Sequence, residues 1–430
     1  MQDTDSRDLP TDPTGLRVTV VGLHFAPEPS GNAPYTTGLV RGLSKRGHRV
    51  HAIVGYPHYP QWRVLDGYTG WSMDETLDGA SIRRLRHYVP ADPSLLRRLV
   101  MEASFGLRAA FADWKRPDAV VLVSPGLLAT AIASVRAKVT RTPYVVWVQD
   151  IYTLGLSESG RGGRLLASTA GTLERSVLQS GGGVIAIHER FKRYLRDSLG
   201  VRRAPISVVR NWSHVEIPSV DRAAVRRRQG WAEDDVVVLH AGNMGVKQAL
   251  DNVVLASRVA SERGSRVRFV LLGDGNQRAA LQAMGSNDRL EFLSTLPDGA
   301  FEEVLASADI LLVNEQPGAA EAAVPSKLTT YFSTGLPVVA ATDAQSITAE
   351  ELQLSGGGVR VDPADPAALV DAAEALGSDP ELGRRLGQAG KRFRTEFQSE
   401  DNSLDAMASI LRGLAGKSAA APAELPTSAR

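Results

Sequence analysis

The chain has 430 residues, of which 23% are charged and 43% belong to the apolar set AVILMFWYC. That balance is typical of globular proteins, and the length allows two or three domains of ordinary size. The formal net charge of +1 excludes a general electrostatic affinity for nucleic acid. The chain contains no cysteine, which excludes disulfides, thiolate metal sites and a cysteine nucleophile, and which suits a reducing compartment.

Both ends of the chain have compositions typical of disorder. Residues 1–15 are polar and acidic without an apolar core, so they do not have the pattern of a signal peptide. Residues 417–430 are rich in Ala, Pro and Ser. No apolar run is long enough to predict a membrane-spanning helix. We therefore expect a cytoplasmic protein and leave open a peripheral contact with the inner face of the cytoplasmic membrane.

Short β-branched runs alternate with longer helical patterns between these ends. Runs such as AVVLV and YVVWV are apolar throughout, which is typical of parallel strands covered on both faces. The alternation predicts an α/β protein with two doubly wound Rossmann-like domains facing a cleft. The predicted strands are residues 17–22, 50–54, 82–86, 118–123, 144–148, 183–187, 206–210, 236–240, 267–272, 289–292, 309–313, 337–340 and 358–361.

A break in this alternation predicts the domain boundary. Residues 211–235 contain the basic run RRRQ and lack a strand signal. We therefore predict a first Rossmann-like domain over residues 16–212 and a second Rossmann-like domain over residues 213–395. The pattern of residues 396–416 predicts a C-terminal helix that returns to the first domain.

The segment HFAPEPSGNAPYTTGL, residues 24–39, directly follows the first predicted strand. Gly31 permits a tight bend against a ligand, and Asn32 stands beside it. An ordinary structural β–α loop is a serious alternative, because a lone glycine is weak evidence. The place at the carboxyl end of a strand favours ligand binding.

A helical pattern between residues 81 and 114 carries many basic residues. Residues 81–108 include six arginines, Arg97 and Arg98 among them, against Asp92 and Glu102. A basic helix with an apolar face suits the surface of an anionic membrane. A helix packed on its own sheet, with the arginines in solvent, is an equal alternative. The apolar residues at helical spacing are Leu95, Leu96, Leu99, Val100, Ala103, Leu107, Ala110 and Phe111.

Two polar residues end strands of the first half. Asp150 ends the run YVVWVQD, where its carboxylate can steer or deprotonate an acceptor hydroxyl. Capping of the following turn is the alternative for Asp150. His188 follows the run GVIAI, and packing at a helix start is the favoured interpretation for it and for His24.

The stretch VVVLHAGNMGVKQALDNVV, residues 236–254, predicts a buried strand, a glycine-containing turn and a helix. The free N–H groups at the positive end of the helix, with Lys247 beside them, predict a diphosphate site. Asn243 and Gly245 support this interpretation, since both tolerate unusual backbone angles. A surface lysine on an ordinary turn is an equal alternative.

The segment LLGDGNQ, residues 271–277, lies at the end of another predicted strand. A turn of Gly273, Asp274 and Gly275 can present backbone amides to a nucleobase or a phosphate. Helix capping is the favoured explanation of Asp274 itself.

The segment VPSKLTTYFSTGLPVV, residues 324–339, begins a helix at Pro325 and Ser326. Lys327 falls in the first turn, where a cation is locally unfavourable because the helix dipole is positive there. A bound anion resolves the conflict, since its negative charge attracts both the Lys327 amine and the positive end of the helix dipole. The alternative is a solvated lysine that points away.

Taken together, these segments resemble the family 4 glycosyltransferases of GT-B architecture over residues 16–415. FAPEPSGNAPYTTGLVRGLSKRGHRV is similar to the glycine loop and first helix of that family. PHYPQW, WVQD, GNMGVKQ, RLEFLSTLP and PSKLTTYFSTGLPVVA resemble the branch that builds exopolysaccharide and O-antigen repeat units, including colanic-acid-type and fucosaminyl transferases.

The resemblance implies roles for particular residues. Lys247 matches the lysine that contacts the donor diphosphate, and Gly31 matches the loop glycine near the sugar and phosphate. Ser326 and Lys327 match the phosphate-binding start of the signature helix. The two glutamates of the wider family fall on Ala322 and Thr330. The donor-binding set predicted in full is Gly31, Asn32, Asn243, Gly245, Gly273, Asp274, Gly275, Glu315, Glu321, Ser326, Leu328 and Thr330, with Glu315 or Glu321 taking the sugar-contacting role of the missing glutamates.

The resemblance implies transfer of a sugar, with retention, from a nucleotide-diphosphate donor to a hydroxyl acceptor. Lys247, Lys327 and Asp150 are the predicted catalytic residues, and Arg97 and Arg98 are predicted to contact the membrane or the acceptor. The resemblance suggests an acceptor glycan or a polyprenyl-diphosphate-linked sugar. No convincing aspartate pair follows a strand, so neither a metal nor another cofactor is expected.

Three other functions remain open at this point. A nucleotide-sugar 2-epimerase shares the fold but would be expected to offer more acid and base groups. A sugar-nucleotide-binding protein without activity is suggested by Thr330 and Ala322. A dehydrogenase is disfavoured, because no G-x-G-x-x-G follows the first strand.

Overall fold

The computed structural model describes residues 15–29, 31–158, 164–213, 215, 217–297, 299–318 and 326–416. The chain divides into two compact units, one formed by the residues up to Asn211 with those from Asp401 onward, the other by Trp212–Glu400. Each unit has a mainly parallel sheet with helices around it, so the predicted α/β class with two Rossmann-like domains is confirmed.

The first unit has an eight-stranded sheet within the described residues, in the order β3-β4-β2-β1-β5-β6-β7-β8. Neighbouring strands are parallel except for β3 and β4, which form an antiparallel hairpin. The strands are β1 (Arg17–Gly22), β2 (Arg49–Gly55), β3 (Ser72–Leu77), β4 (Ala80–Leu85), β5 (Ala119–Ser124), β6 (Tyr144–Val148), β7 (Gly183–Ala186) and β8 (Ile206–Val208).

Helices connect most of these strands. Helix α1 begins with a proline near its first position. Gly47 follows the helix with a φ of 81°, a backbone angle that glycine adopts readily and other residues rarely do. Helix α6 continues into a π-helical turn, Tyr194–Ser198. The helices of the first unit before the boundary are α1 (Ala33–Lys45), α2 (Leu95–Phe111), α3 (Leu127–Val139), α4 (Tyr152–Glu158), α5 (Arg164–Gln179) and α6 (Glu189–Arg193).

The second unit has a six-stranded parallel sheet in its described part, in the order β11-β10-β9-β12-β13-β14. The strands are β9 (Val236–Ala241), β10 (Val267–Leu272), β11 (Leu290–Leu293), β12 (Ile310–Asn314), β13 (Val338–Ala341) and β14 (Gly358–Val361). The helices are α7 (Arg222–Gln229), α8 (Asp251–Glu262), α9 (Arg278–Ala283), α10 (Ala300–Ser307), α11 (Ser326–Thr334), α12 (Ile347–Ser355), α13 (Pro366–Ser378) and α14 (Pro380–Phe397).

The central strand β9 is buried on both faces. Val236 and Val238 belong to one apolar core, whereas Val237 and Leu239 belong to the core on the other side of the sheet. Alternate side chains of a strand point to opposite faces, so a run of four apolar residues serves both cores. This explains why the strand was predictable as an unbroken apolar run.

The last helix, α15 (Glu400–Leu414), begins four residues after the predicted start, because residues 396 and 397 still belong to α14. It packs in the first unit, where Leu404 fills the space beside Gly42. Arg46 pairs with Asp401 at 2.8 Å and with Asp405 at 2.7 Å. No helix among the described residues is long and apolar enough to cross a membrane.

The order of the strands locates the crevices of both sheets. The chain direction across the sheet reverses between β1 and β5 in the first unit and between β9 and β12 in the second. Ligands of open α/β sheets bind beyond the carboxyl ends of the strands at such switch points. Many of the candidate residues lie in the loops after β1, β9, β10 and β12, at the carboxyl ends of the strands.

The loops after β9 and β10 pack backbone against backbone. A Cβ added to Gly273 would lie 2.1 Å from the carbonyl oxygen of Gly242, and Gly273 has a φ of 136°. A side chain at this position would therefore both clash and strain the backbone.

Gly273→Ala should destabilise the second unit by about 2 kcal/mol or more, because the β9 and β10 loops must separate. The midpoint of urea unfolding measures this. The matched control is Gly383→Ala in α14, whose added Cβ would meet Pro337 at an ordinary 3.7 Å and which should stay within about 1 kcal/mol of the original protein. Equal stability of the two variants would contradict the packing argument.

Candidate active site

The turn after β9 is fixed by hydrogen bonds to the neighbouring loop. Gly242 donates to the carbonyl of Leu272 at 2.8 Å, and Met244 donates to that of Asp274 at 2.8 Å. Asn243 and Gly245 tolerate unusual backbone angles, but neither has a positive φ. Gly245 is extended, with a φ of −104°, and the unusual angle belongs to Gly242, with a φ of 121°.

Lys247 lies on a 3-10 turn, Val246–Gln248, at the carboxyl end of β9 and is exposed. Its carbonyl oxygen accepts a hydrogen bond of 2.8 Å from the N–H of Gln316, in the loop after β12. Asn314 donates to the carbonyls of Gln248 and Ala249, both at 2.9 Å. The turn that carries Lys247 is therefore held against the ends of both strands at the switch point.

Lys327 lies in the first turn of α11 and points inward. Its Nζ is 2.9 Å from Nε2 of His240, a fully buried residue of β9. A Cβ added to Gly242 would lie 3.1 Å from Lys327 Cε, so glycine leaves room for the lysine. The hydroxyl of Tyr331 accepts a hydrogen bond of 2.9 Å from the N–H of Ala241, which anchors α11 to the same strand end.

Burial governs the charge of this pair. Desolvation lowers the pKa of Lys327 from its usual 10.5 to about 7, although the neighbouring Glu315 acts in the opposite direction. Desolvation and then the nearby Lys327 lower the pKa of His240 well below its usual value. His240 therefore stays neutral and accepts a hydrogen bond from Lys327, and the lysine is ready to gain a proton when an anion arrives.

The glycines after β10 serve the backbone packing described above. Gly273 and Gly275 approach the carbonyls of Gly242 and Met244, so their small size is explained without a ligand. The capping role expected for Asp274 is wrong, because α9 begins only at Arg278 with Gln277 as its N-cap. The exposed Asp274 instead accepts a 2.8 Å hydrogen bond from the N–H of Gly275.

Glu315 directly follows β12, and its carboxylate accepts hydrogen bonds from two hydroxyl groups. One carboxylate oxygen accepts from Thr348 at 2.6 Å, and the other accepts from Thr342. Burial raises the pKa of Glu315, and these hydroxyls act against that effect. Both oxygens are thus occupied by the fold, which makes Glu315 a weaker candidate for contact with a sugar than the sequence suggests.

The remaining predicted donor residues of the second unit fall on α11 or before it. Ser326 is the first residue of α11, and the side chain of Leu328 is buried in the core of the sheet, so only its backbone can face a ligand. Thr330 is partly buried within the helix. Glu321 lies outside the described residues.

The first unit holds the other predicted residues. Gly31 has a φ of 68°, as its expected bend requires, and the buried Asn32 precedes α1, where its carbonyl accepts from Thr36. The carboxylate of Asp150 accepts a hydrogen bond of 2.9 Å from the backbone N–H of Ile151. This contact is the capping of the following turn that was the alternative for Asp150. Gln149 exchanges two amide hydrogen bonds with Asn211.

Sequence reasoning missed a cluster at the carboxyl ends of β1 and β2. Glu28 is fully buried, and its Oε2 accepts a 2.7 Å hydrogen bond from His24 Nδ1. Its Oε1 accepts from the backbone N–H groups of His58 and Tyr59 at 2.8 and 3.0 Å. The only signal in the sequence is that polar residues follow both strands, and their separation of 30 positions conceals the contact.

The cluster of His24, Glu28 and His58 brings the side chains of two histidines and one glutamate close together, a set that could ligate a metal ion. His58 Nδ1 donates to the carbonyl of Tyr56 at 2.9 Å, so that nitrogen carries a proton and cannot ligate. Burial would raise the pKa of Glu28, yet the hydrogen bonds from His24 and the His58 backbone outweigh it and lower the pKa. The carboxylate is satisfied by protein donors.

Helix α2 presents a different face from the one expected. The buried face contains Met101, Glu102, Phe105, Gly106 and Ala109. The predicted apolar set is at most partly buried, and its exposed members are Leu96, Val100, Leu107 and Phe111. The helix is therefore packed within its own unit, as the second alternative expects, but through other residues than the predicted apolar set. The exposed members of that set form an apolar stripe along the helix.

Arginines flank this stripe. Arg97 pairs with Asp92 at 3.0 Å, and both side chains are exposed. Arg98 donates to the carbonyl of Pro93 and places its guanidinium 4.8 Å from the ring centre of Trp62.

Comparison with known protein families agrees with the division of the chain into two units. Residues 30–212 match the model described as a glycosyl transferase 4-like domain. Residues 221–393 match the model of the glycosyl transferases group 1. A putative colanic acid biosynthesis glycosyl transferase, WcaI of Escherichia coli K12, is 30% identical over 374 residues, which cover 83% of this chain and 90% of the relative.

The chain is a family 4 glycosyltransferase. The expected resemblance is thereby confirmed, together with the enzyme class and the GT-B fold.

Solved structures with low sequence identity share the fold of this glycosyltransferase. Sucrose-phosphate synthase from Thermosynechococcus elongatus gives a TM-score of 0.72 at 16% identity, covering 94% of this chain and all of the other. HepE of Anabaena, solved in complex with UDP, gives a TM-score of 0.68 at 15% identity, covering 93% of this chain and all of HepE.

The low pKa of Lys327 predicts a pH-dependent stability of the glycosyltransferase. Between about pH 7 and about pH 10 the unfolded chain holds a proton on Lys327 that the folded protein lacks, so stability rises with pH in this range. In Lys327→Met this contribution is absent. The stability of the variant relative to the original protein should therefore fall by at least about 1.4 kcal/mol, one unit of pKa, from pH 7 to pH 10.

Urea unfolding at several pH values measures that difference. A difference between the two proteins that does not change with pH would show that Lys327 keeps its ordinary pKa.

Proposed function

We propose that the protein transfers a sugar, with retention of anomeric configuration, from a nucleotide-diphosphate donor to a hydroxyl acceptor. The observation that carries the proposal is Lys327, a partly buried amine at the positive end of α11 and at the carboxyl end of β9, where it contacts His240. A protein gains nothing in stability from a cation in that place. An anionic ligand gives the placement a purpose.

The chemical problem in such a transfer is the departing diphosphate, whose negative charge grows in the transition state. Preorganised cations and amides aimed at that charge supply the largest single catalytic effect in most enzymes. Lys327 and the N–H groups of the first turn of α11 form one side of the proposed diphosphate site. The exposed Lys247, fixed at the end of β9, forms another.

The proposed chemistry uses no metal ion, because lysines supply the positive charge that a divalent cation would otherwise provide. The relative HepE was solved with UDP, and a nucleoside diphosphate of that kind is the ligand that we propose for the second unit. A screen of nucleotide sugars, described below, identifies the base and the sugar of the donor.

The proposed acceptor is a lipid-linked glycan intermediate of a cell-surface polysaccharide. The similar WcaI protein is named for colanic acid biosynthesis, and the exposed stripe on α2 provides a way to reach a membrane. Apolar side chains at one face of a helix, flanked by arginines, suit the interface of a bilayer that contains anionic lipids. The first unit is accordingly proposed as the acceptor-side unit.

An inactive sugar-nucleotide-binding protein is the second candidate. It is favoured by Thr330 and Ala322, which stand where the wider family has its two glutamates. Release of nucleoside diphosphate distinguishes the candidates, because a binding protein breaks no donor bond and a 2-epimerase needs no acceptor. Acceptor-stimulated release supports transfer.

Lys327→Met and Lys247→Met should each lower acceptor-dependent turnover by at least about a hundredfold, since each removes a charge from the proposed diphosphate site. A thermal-shift screen of UDP-, GDP-, ADP- and dTDP-sugars first selects the donor. The matched control is Lys391→Met, an exposed lysine of α14, which should retain full turnover. Near-normal rates in both site variants would remove these lysines from the mechanism.

The double variant Leu96→Ser/Phe111→Ser should weaken binding to liposomes that contain phosphatidylglycerol, because it interrupts the exposed apolar stripe. Arg97→Ala/Arg98→Ala should weaken it by about tenfold at low salt and less at high salt. Co-sedimentation measures both effects.

The control for the charge effect is Arg384→Ala/Arg385→Ala, two exposed arginines of α14. Membrane contact through α2 predicts normal binding by this control. Equal binding by all four proteins would show that α2 does not contact the bilayer.

A further inference from the structure

Asn314 lies where two neighbouring strands of the second sheet separate. The ladder between β12 and β9 ends at Leu311, whereas the ladder between β12 and β13 continues to Asn314, the last residue of β12. The last residues of β12 are therefore not paired with β9. Such a separation at a switch point opens the crevice in which ligands of α/β sheets bind.

The side chain of Asn314 bridges the two separated strand ends. It is 1% exposed, and its amide nitrogen donates hydrogen bonds to the carbonyl oxygens of Gln248 and Ala249, both at 2.9 Å. These two residues directly follow Lys247 in the turn after β9. The buried amide thus connects β12 to the turn that carries Lys247.

A second asparagine fixes the orientation of this amide. Asn252, in the first turn of α8, donates from its side-chain nitrogen to Oδ1 of Asn314 at 2.9 Å. A primary amide has two N–H donors and one oxygen acceptor, so this contact directs both hydrogens of Asn314 to the turn. Burial of an amide is costly unless its polar atoms have partners, and here both the nitrogen and the oxygen have them.

The turn depends on support of this kind. Ala249 has a φ of 41°, a backbone conformation that residues with a side chain rarely adopt and that persists only where the surroundings hold it. The N–H of Gln316 gives further support, since it donates to the carbonyl of Lys247 at 2.8 Å. Three consecutive carbonyls, those of Lys247, Gln248 and Ala249, therefore accept hydrogen bonds from the end of β12 and the residues after it.

We propose that Asn314 is a positioning residue for transfer from the nucleotide-diphosphate donor and that it acts through Lys247. The inference rests on the proposed function, in which Lys247 faces the diphosphate. Because the turn is held, the backbone of Lys247 keeps one conformation. The amine then meets the charge that grows on the leaving diphosphate without reorganisation of the loop. Asn314 is buried, so it acts through the turn and not by contact with the ligand.

A double-mutant cycle tests this inference. Asn314→Ala removes both hydrogen bonds to the turn, and we expect kcat to fall by at least about tenfold. In the Lys247→Met background the same substitution should change kcat by less than about twofold, because the side chain through which Asn314 acts is already absent. An equal loss in both backgrounds would show that Asn314 only supports the fold, and it would overturn the proposal.

The experiment uses the full chain with the donor selected by thermal shift. The acceptor probes are polyprenyl-diphosphate-linked monosaccharides and p-nitrophenyl glycosides, and released nucleoside diphosphate is measured.

The matched control is Asn287→Ala, which removes another asparagine of the same unit. The Asn287 side chain donates to Oγ of Ser257 at 2.8 Å and accepts from the N–H of Arg289 at 2.8 Å, so its contacts lie outside the Lys247 turn. Turnover of this variant should stay within about twofold in both backgrounds. A loss as large as that of Asn314→Ala would show a general effect of destabilisation and would contradict the inference.

Asn252→Ala is a milder variant that keeps the test decisive if Asn314→Ala does not fold. It leaves the amide of Asn314 in place and removes the bond that orients it. We expect kcat to fall by about threefold or more in the original protein and to stay unchanged in Lys247→Met. The same loss in both backgrounds would overturn the proposal.

Hydrogen exchange tests the turn without donor or acceptor. The N–H groups of Gln248 and Ala249 donate to the carbonyls of Gly245 and Val246, at 3.2 and 3.1 Å. Mass spectrometry of peptides that cover residues 245–250 should show exchange at least about tenfold faster in Asn314→Ala and unchanged in Asn287→Ala. Unchanged exchange in Asn314→Ala would show that this side chain does not hold the turn, and the proposal would fail.

The outcomes separate this inference from the proposed function. If the original protein shows no acceptor-stimulated release with any probe, or if Lys247→Met is as active as the original, the proposed function or its use of Lys247 fails and this inference fails with it. If Lys247→Met is impaired and Asn314→Ala is not, only the role of Asn314 is overturned. A loss in Asn314→Ala that disappears in the Lys247→Met background supports both.

Discussion

The contact between Lys327 and His240 is the interaction on which the donor site depends. It places an amine at the start of a helix and removes most of its hydration, so the ordinary charged form becomes costly. Three other features are arranged around it. Gly242 leaves space for the lysine, and Tyr331 attaches the helix to the end of β9. Glu315 supplies a neighbouring negative charge, and its carboxylate accepts hydrogen bonds from the hydroxyls of Thr342 and Thr348.

The two units use the same physical device at different strand ends. In the second unit a buried histidine accepts from a lysine, and in the first a buried glutamate accepts from a histidine. Each buried partner fixes the hydrogen-bonding state of a group that a ligand can reach. Parallel sheets favour this arrangement, since all of their carboxyl ends lie along one edge and their loops meet there.

Much of the fold could be predicted because the central strands are unbroken apolar runs. Strand β3, SMDETL, could not, since it is an edge strand in a hairpin and only Met73 and Leu77 of its six residues are apolar. Periodicity identified α2 but not its buried face. Glu102 and Gly106 face inward there while Leu96 and Phe111 face solvent, which is the reverse of what apolarity alone indicates.

The candidate site was predictable only where a residue conflicts with its local structure. Lys327 was found in this way, because a cation in the first turn of a helix is unfavourable by itself. His240 was not, since a single histidine in an apolar strand looks like part of the core. Glu28 and His58 are far apart in sequence, and their contact depends on the pairing of β2 beside β1.

The central claim is that a bound diphosphate restores the charge of Lys327, and calorimetry tests it most directly. Titration of the selected nucleotide sugar at about pH 8, in two buffers that differ in ionisation enthalpy, gives the number of protons taken up on binding. The account predicts uptake of about one proton by the original protein and none by Lys327→Met, because the diphosphate linkage itself does not titrate there. Binding without proton uptake by the original protein would contradict the account.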